Sequence, residues 1–237
     1  MIETILHEYI QSNRGRTINL SIPIHQDGPS ENRKFRMSDA GRCHLYRYWK
    51  RQGKEIPMPM PDALLTMEAG NVMHAWIAAA CESAGYLIET EGELEDQHRI
   101  GHFDLLLDMS GDLVLADVKT ISSKKMFTMK KYRNPPDWHH IAQLMTYWDS
   151  LTDESPILNE DEKIDKTLIC YVNRDNWNEF LEIDIERTPL LLAAVQDDWE
   201  DLTAAWESGK YPKANPTNEW ECKYCPFKAI CEWREVI

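Results

Sequence analysis

No apolar run in the 237-residue sequence approaches the ~20 residues a helix needs to span a bilayer. The longest, around Ala75 to Ala80, is far too short, so no membrane segment is expected. The opening MIETILHEYIQ lacks a basic stretch followed by a continuous apolar one, so it does not read as a secretory leader, and a cytoplasmic setting is expected. A G-x-x-x-x-G-K-[ST] loop is also missing, which excludes a nucleotide-driven motor within the chain. There are no internal repeats and no low-complexity tracts, and one compact unit is expected from a chain of this length with 43% hydrophobic residues.

Positive charge is scarce as well. Lys and Arg number 26 against 40 acids, for a net charge of −14, and an acidic surface repels phosphates. The distribution changes that picture. Residues 1–54 carry net +5, and residues 119–133, KTISSKKMFTMKKYR, hold six basic residues and no acid. A nucleic-acid backbone needs only such a local basic track. Lys124, Lys125, Lys130, Lys131 and Arg133 are therefore candidate phosphate contacts on a loop, the alternative being a solvated surface.

The hydrophobic period predicts an amphipathic helix over residues 2–10, a helix capped by Ser38 that contains Cys43 and stops near Gly53, and a P-M-P-M-P linker. A long helix then runs from Asp62 to about Ser83. Strands follow at Tyr86–Glu91, Arg99–Asp108 and Leu113–Thr120, the last two joined by a Met109–Asp112 turn. A helix bearing Ile141, Leu144, Met145 and Trp148, a hairpin from Lys166 to Ile185 and a helix from Pro189 to Trp206 complete an α/β arrangement around a mixed sheet. Three regions are expected: an N-terminal helical, basic region over residues 1–61, a core over 62–208 and a cysteine-bearing tail over 209–237.

Within GHFDLLLDMSGDLVLADVKT, Asp117 and Lys119 share one face of a strand, and Asp104 on the partner strand can meet them. Two carboxylates beside an ammonium are costly to bury unless paired, and they suit phosphodiester hydrolysis: acids hold a hard cation while a lysine orients the nucleophile. A D-x-K taken alone also reads as a surface salt bridge.

The cysteines form a second constellation. In a chain without a leader, six thiols point to metal or cluster binding rather than disulfides. Cys222, Cys225 and Cys231 lie in NEWECKYCPFKAICEW, and a fourth ligand must come from elsewhere. Cys81 and Cys170 read as small core hydrophobes. By spacing alone, zinc and an iron–sulfur cluster are both open.

The G-x-x-D of Gly101 to Asp104 ahead of a strand ending in D-V-K resembles the core of the PD-(D/E)XK superfamily, in particular its RecB-like exonuclease branch. Two further elements follow that pattern: G-N-V-M-H, ending in His74, and Q-x-x-x-Y, formed by Gln143 and Tyr147. The resemblance implies a restriction-endonuclease-like fold in which His74, Asp104, Asp117 and the carbonyl of Val118 bind Mn2+ or Mg2+. It also implies that Lys119 acts on the attacking water and that Gln143 and Tyr147 contact the substrate strand. Cysteines split one before and three after the core resemble the CRISPR-associated four-cysteine exonucleases, which implies a [4Fe-4S] cluster on Cys43, Cys222, Cys225 and Cys231. The implied activity is exonucleolytic cleavage of single-stranded DNA from the 5′ end, with endonucleolytic cutting alongside, in a prokaryotic or viral setting. Implied partners are DNA, other nucleic-acid-processing proteins and further copies of the chain in an oligomer. The competing reading is a non-catalytic iron–sulfur or zinc subunit that binds DNA within a nuclease complex.

Overall fold

The computed structural model describes all residues except 21, 23–33, 59, 153–156, 159–161 and 233–237. Its elements in chain order are α1 (Ile2–Ser12), β1 (Phe35–Arg36), a 3-10 turn (Met37–Asp39), α2 (His44–Arg51), α3 (Pro61–Ser83), β2 (Leu87–Glu95), β3 (Arg99–Met109) and β4 (Asp112–Ile121). There follow α4 (Ser123–Tyr132), α5 (Trp138–Thr152), β5 (Lys166–Asn173), β6 (Phe180–Asp184), α6 (Pro189–Glu207), α7 (Glu219–Lys223) and a second 3-10 turn (Lys228–Ile230). The architecture is the expected α/β fold with a mixed sheet flanked by helices. The strand order is β1-β3-β4-β5-β6, with β2 also paired to β3. The β1–β3 and β4–β5 pairs are parallel and the others antiparallel.

The β3–β4 hairpin sets the register of the whole sheet. Ser110 (φ 64°) and Gly111 (φ 98°) both take left-handed backbone, the conformation a two-residue hairpin turn requires. The turn aligns Leu105 with Ala116 and Leu107 with Val114. Because side chains alternate along β4, Val114, Ala116 and Val118 enter one core with Met73, Ile77 and Ala80 of α3 and Ile2, Ile5 and Leu6 of α1. Leu115 and Ile121 enter the other core, with Ala142 and Met145 of α5, Val195, Trp199 and Leu202 of α6 and Leu45, Tyr48 and Trp49 of α2. Asp117 and Lys119 belong to this second row, so they emerge on the side covered by α5.

Several elements depart from the sequence expectations, each for a local reason. Ser38 caps no helix: it lies in the 3-10 turn, and Cys43 is the N-cap of α2. The first amides of α2 are met instead from the tail, Cys43 N–H donating to Glu221 Oε2 (2.9 Å) and His44 N–H to Asn215 Oδ1 (2.6 Å). The basic run expected as a loop is helix α4. Ser122 caps it by accepting from Lys125 N–H, only Met126 and Met129 are buried, and Arg133 ends it in a left-handed conformation. Strand β2 continues four residues past the expected Glu91. Among the described residues no helix is long and apolar enough to cross a membrane.

Helices α2 and α6 are joined by a buried ionic contact. Arg47 is 2% exposed, donates to Asp198 Oδ2 at 2.6 Å and lies 3.9 Å over the Trp199 ring. His44 Nε2 is 2.8 Å from Asp198 Oδ1. Burial works against the Asp198 charge, but His44 and Arg47 outweigh it and hold the carboxyl below its usual range. Removing one partner strands the other charge in an apolar core. Asp198→Ala is therefore expected to destabilise the protein by ~3–5 kcal/mol; urea unfolding showing less than ~1 kcal/mol would mean the contact is not buried in solution.

Candidate active site

The site is built where β3, β4, α3 and α5 converge. Asp104 lies one residue before the Leu105–Ala116 pair, and its Oδ2 accepts the Val118 amide at 2.6 Å. That bond fixes the carboxylate against the neighbouring strand. Asp117 is 1% exposed, and the Lys119 Nζ lies 2.9 Å from both of its oxygens, donating a hydrogen bond to Oδ1. Oδ2 is buried and makes no hydrogen bond of its own. From α3, His74 Nδ1 approaches Asp104 Oδ2 to 3.7 Å.

The electrostatics follow from burial. Desolvation pushes the Asp117 carboxyl up to about 6; Lys119 opposes the shift and Asp104 adds to it. Burial works against the Lys119 charge, yet Asp117 and Asp104 outweigh it and raise its pKa above the usual value. The lysine is thus held as an ammonium between two acids.

On α5, Gln143 and Tyr147 are buried at 6% and 1% exposure, and Gln143 Nε2 donates to Tyr147 Oη at 2.9 Å. Burial first, then Asp104 and Asp117, raise the Tyr147 phenol well above its ordinary value, so it stays protonated as a donor. Gly101 is needed for this packing: a Cβ there would lie 2.7 Å from Met37 Cβ and 3.1 Å from Tyr147 Cε1.

Glu91, which by sequence reads as a solvent-exposed acid with a second cation as the alternative, also reaches this site. It lies in the middle of β2 with φ 52°, a strained value for a residue with a side chain, between the paired positions Thr90–Leu105 and Gly92–Phe103. His74, Glu91 and Asp104 each offer a ligand atom, and these atoms lie within 4.8 Å of one another. Asp117 is not one of this trio, its carboxylate being turned to Lys119. An imidazole, two acids and a third buried acid with an oxygen lacking a hydrogen bond form a donor set suited to a divalent cation. No spacing or periodicity in LIETEGELE signals Glu91; only its approach to α3 does.

The basic side chains of α4 divide into two groups. Lys125 Nζ is 2.7 Å from Asp137 Oδ1 and Lys130 Nζ is 2.9 Å from Glu179 Oε1, so both have acidic partners. Lys131 lies 5.3 and 5.1 Å from the Phe127 and Tyr132 ring centroids. Lys124 and Arg133 are exposed.

Cys43, Cys222, Cys225 and Cys231 line one cavity of about 570 Å³, with Tyr46, Trp49 and Trp220 among its other walls. All four are free thiols. Burial and then the proximity of Cys43 and Cys231 raise the Cys222 thiol, and the same neighbours act on Cys225. Four thiols gathered on one cavity fit a cationic metal or cluster among them. Cys81 and Cys170 are fully buried in the core between α3 and the sheet.

The sequence profile of the PD-(D/E)XK nuclease superfamily matches residues 98–232, more than half of the chain. The protein belongs to that superfamily, whose members are nucleases that use divalent metals. No curated protein matches the chain. Among solved structures, it is similar to the crystal structure of SSO0001, with 22% identity over 98% of this chain and 93% of that one and a TM-score of 0.53. It is also similar to an alkaline exonuclease, LHK-Exo, from Laribacter hongkongensis, with 13% identity over 77% of this chain and 92% of that one and a TM-score of 0.52. At these identities the likeness establishes the fold.

The raised pKa of Asp117 has a measurable sign. Its neutral form is favoured in the fold, so the stability it confers is present below the ordinary carboxylate value of 3.8 and is lost as pH rises through about 6. In the presence of chelator, Asp117→Asn is expected to gain stability relative to wild type between ~pH 4 and ~pH 7.5. A difference in denaturation midpoint that is equal at both pH values would contradict it.

Proposed function

We propose that the protein is a metal-dependent deoxyribonuclease that digests single-stranded DNA exonucleolytically. The observation that carries this reading is the Lys119 ammonium held 2.9 Å from both oxygens of a buried aspartate, Asp117, beside Asp104 and His74. His74, Asp104 and Asp117, with the Val118 carbonyl, would hold the cation, and Glu91 joins them as a further ligand. The imidazole favours Mn2+ over Mg2+. When bound, such an ion polarises the phosphate and lowers the pKa of its water.

The chain's own groups do the remaining work. Lys119, kept protonated by two acids, orients the attacking water and steadies the charge that develops on the phosphate. The Val118 amide holds Asp104 in place while β4 presents Asp117, so both carboxylates are positioned before substrate arrives. Tyr147, aligned by Gln143, offers its hydroxyl proton to the strand. Lys124, Lys131 and Arg133 of α4 contact flanking phosphates, and Lys125 and Lys130 contribute when their acidic partners yield. Exonuclease action is the activity named for LHK-Exo, and its start from a 5′ end is carried over from the resemblance to RecB-like enzymes.

The cysteine cavity is read as the seat of a [4Fe-4S] cluster, with zinc as the alternative occupant. On this reading residues 1–61 supply one ligand and residues 209–237 three, closing the core of residues 62–208 from both ends. The cluster's role is structural.

The direct test is Mn2+-dependent degradation of end-labelled single-stranded DNA. Lys119→Ala is expected to lower the rate at least ~100-fold with binding retained; undiminished cutting would reject the mechanism. Glu91→Gln is expected to weaken Mn2+ binding at least ~10-fold by calorimetry, and unchanged affinity would remove Glu91 from the site. Protein purified without oxygen is expected to be brown, with broad visible absorbance from sulfur-to-iron charge transfer; a colourless preparation with stoichiometric zinc would replace the cluster with zinc.

A further inference from the structure

A second group of metal-ligating side chains stands apart from the set around Asp104. Asp137, immediately before α5, and His139 and His140 in its first turn each present a ligand atom, all within 4.8 Å of one another. None of the three belongs to the set of His74, Glu91, Asp104 and Asp117. The two imidazole rings lie 4.0 Å apart, and His139 packs 5.2 Å from Trp220, a wall of the cysteine cavity. We propose that Asp137, His139 and His140 form a second metal site, selective for an imidazole-preferring divalent transition ion such as Zn2+.

Three features of the geometry support it. His139 Nδ1 is buried without a hydrogen-bond partner, an uncompensated cost that a metal bond to this imidazole would help to offset. His140 Nδ1 lies 2.8 Å from Tyr171 Oη. With the Nδ1 proton donated to that phenol, Nε2 is left as the ligating nitrogen, which is how outer groups orient metal-bound histidines. Asp137 is likewise held from outside, its Oδ1 accepting from Lys125 Nζ at 2.7 Å.

Nearby positive charge is the natural objection to a cation here. Arg42, Lys119 and Lys125 all lie close enough to act on His140. Each, however, already faces a carboxylate: Arg42 lies 3.5 Å from Asp39, which it shares with Lys50, Lys119 lies 2.9 Å from Asp117 and Lys125 lies 2.7 Å from Asp137. Two nitrogens and one carboxylate are soft enough to prefer zinc and its neighbours and to discriminate against Mg2+ and Ca2+.

The test counts zinc bound by the intact protein, using calorimetry and elemental analysis in zinc-buffered solution. Asp137→Asn and His139→Gln are each expected to bind one equivalent fewer than wild type, while Asp104→Asn keeps that equivalent. Tyr171→Phe, which removes an outer partner and no ligand, is expected to retain the ion with ~10–100-fold weaker affinity. Imidazole 15N resonances of His139 and His140 should shift on zinc addition and stay unmoved by Mg2+. The proposal is overturned if both ligand variants bind as many equivalents as wild type with the same affinity, or if the missing equivalent follows Asp104→Asn instead. Neither result depends on whether the protein cuts DNA.

Discussion

Burying two carboxylates at the centre of a sheet is expensive, and the structure of this protein is arranged around meeting that expense. A single carboxylate moved into an apolar interior without compensation gives up its ionisation instead. Here Asp104 is given the Val118 amide and Asp117 is given Lys119, yet Asp117 remains raised to about 6. The compensation is deliberately incomplete. What is left over is acid that a cation can stabilise, and beside it His74 and Glu91 approach Asp104 from α3 and β2. Catalytic preorganisation and native-state strain are in this sense one quantity.

The frame that holds this centre is closed at its ends by polar contacts of long sequence separation. Helix α2 has no side-chain cap of its own, and its first amides are met by Glu221 and Asn215 from the tail. Asp198 of α6 balances the buried Arg47 of the same helix. Asp39 at the sheet edge takes Lys50, whose charge with that of Arg42 overcomes the burial that opposes it and keeps its carboxyl below the usual range. These contacts seat Cys43 in the cavity of Cys222, Cys225 and Cys231.

How much of this could be read from the residues in order depends on how local the information is. Strand alternation placed Asp117 with Lys119, and the two-residue turn placed Asp104 opposite them, because both are short-range consequences of pleat and register. Gln143 and Tyr147 were legible for the same reason, being one helical turn apart. Glu91 was not: a strand reading L-I-E-T-E-G-E-L-E looks exposed, and only its left-handed backbone and the passage of α3 bring it to His74. The α4 helix was missed because two buried methionines make too thin an apolar stripe to be seen among lysines. The cap of α2 was misassigned to Ser38 because its true partners lie more than 170 residues away.

The central claim is that these acids and His74 converge on one ion, and anomalous diffraction at the manganese edge from Mn2+-soaked crystals tests it most directly. A peak is expected within bonding distance of His74, Asp104 and Asp117, with Glu91 alongside and Lys119 outside the coordination shell. Strong anomalous density elsewhere, with these side chains uncoordinated, would contradict it.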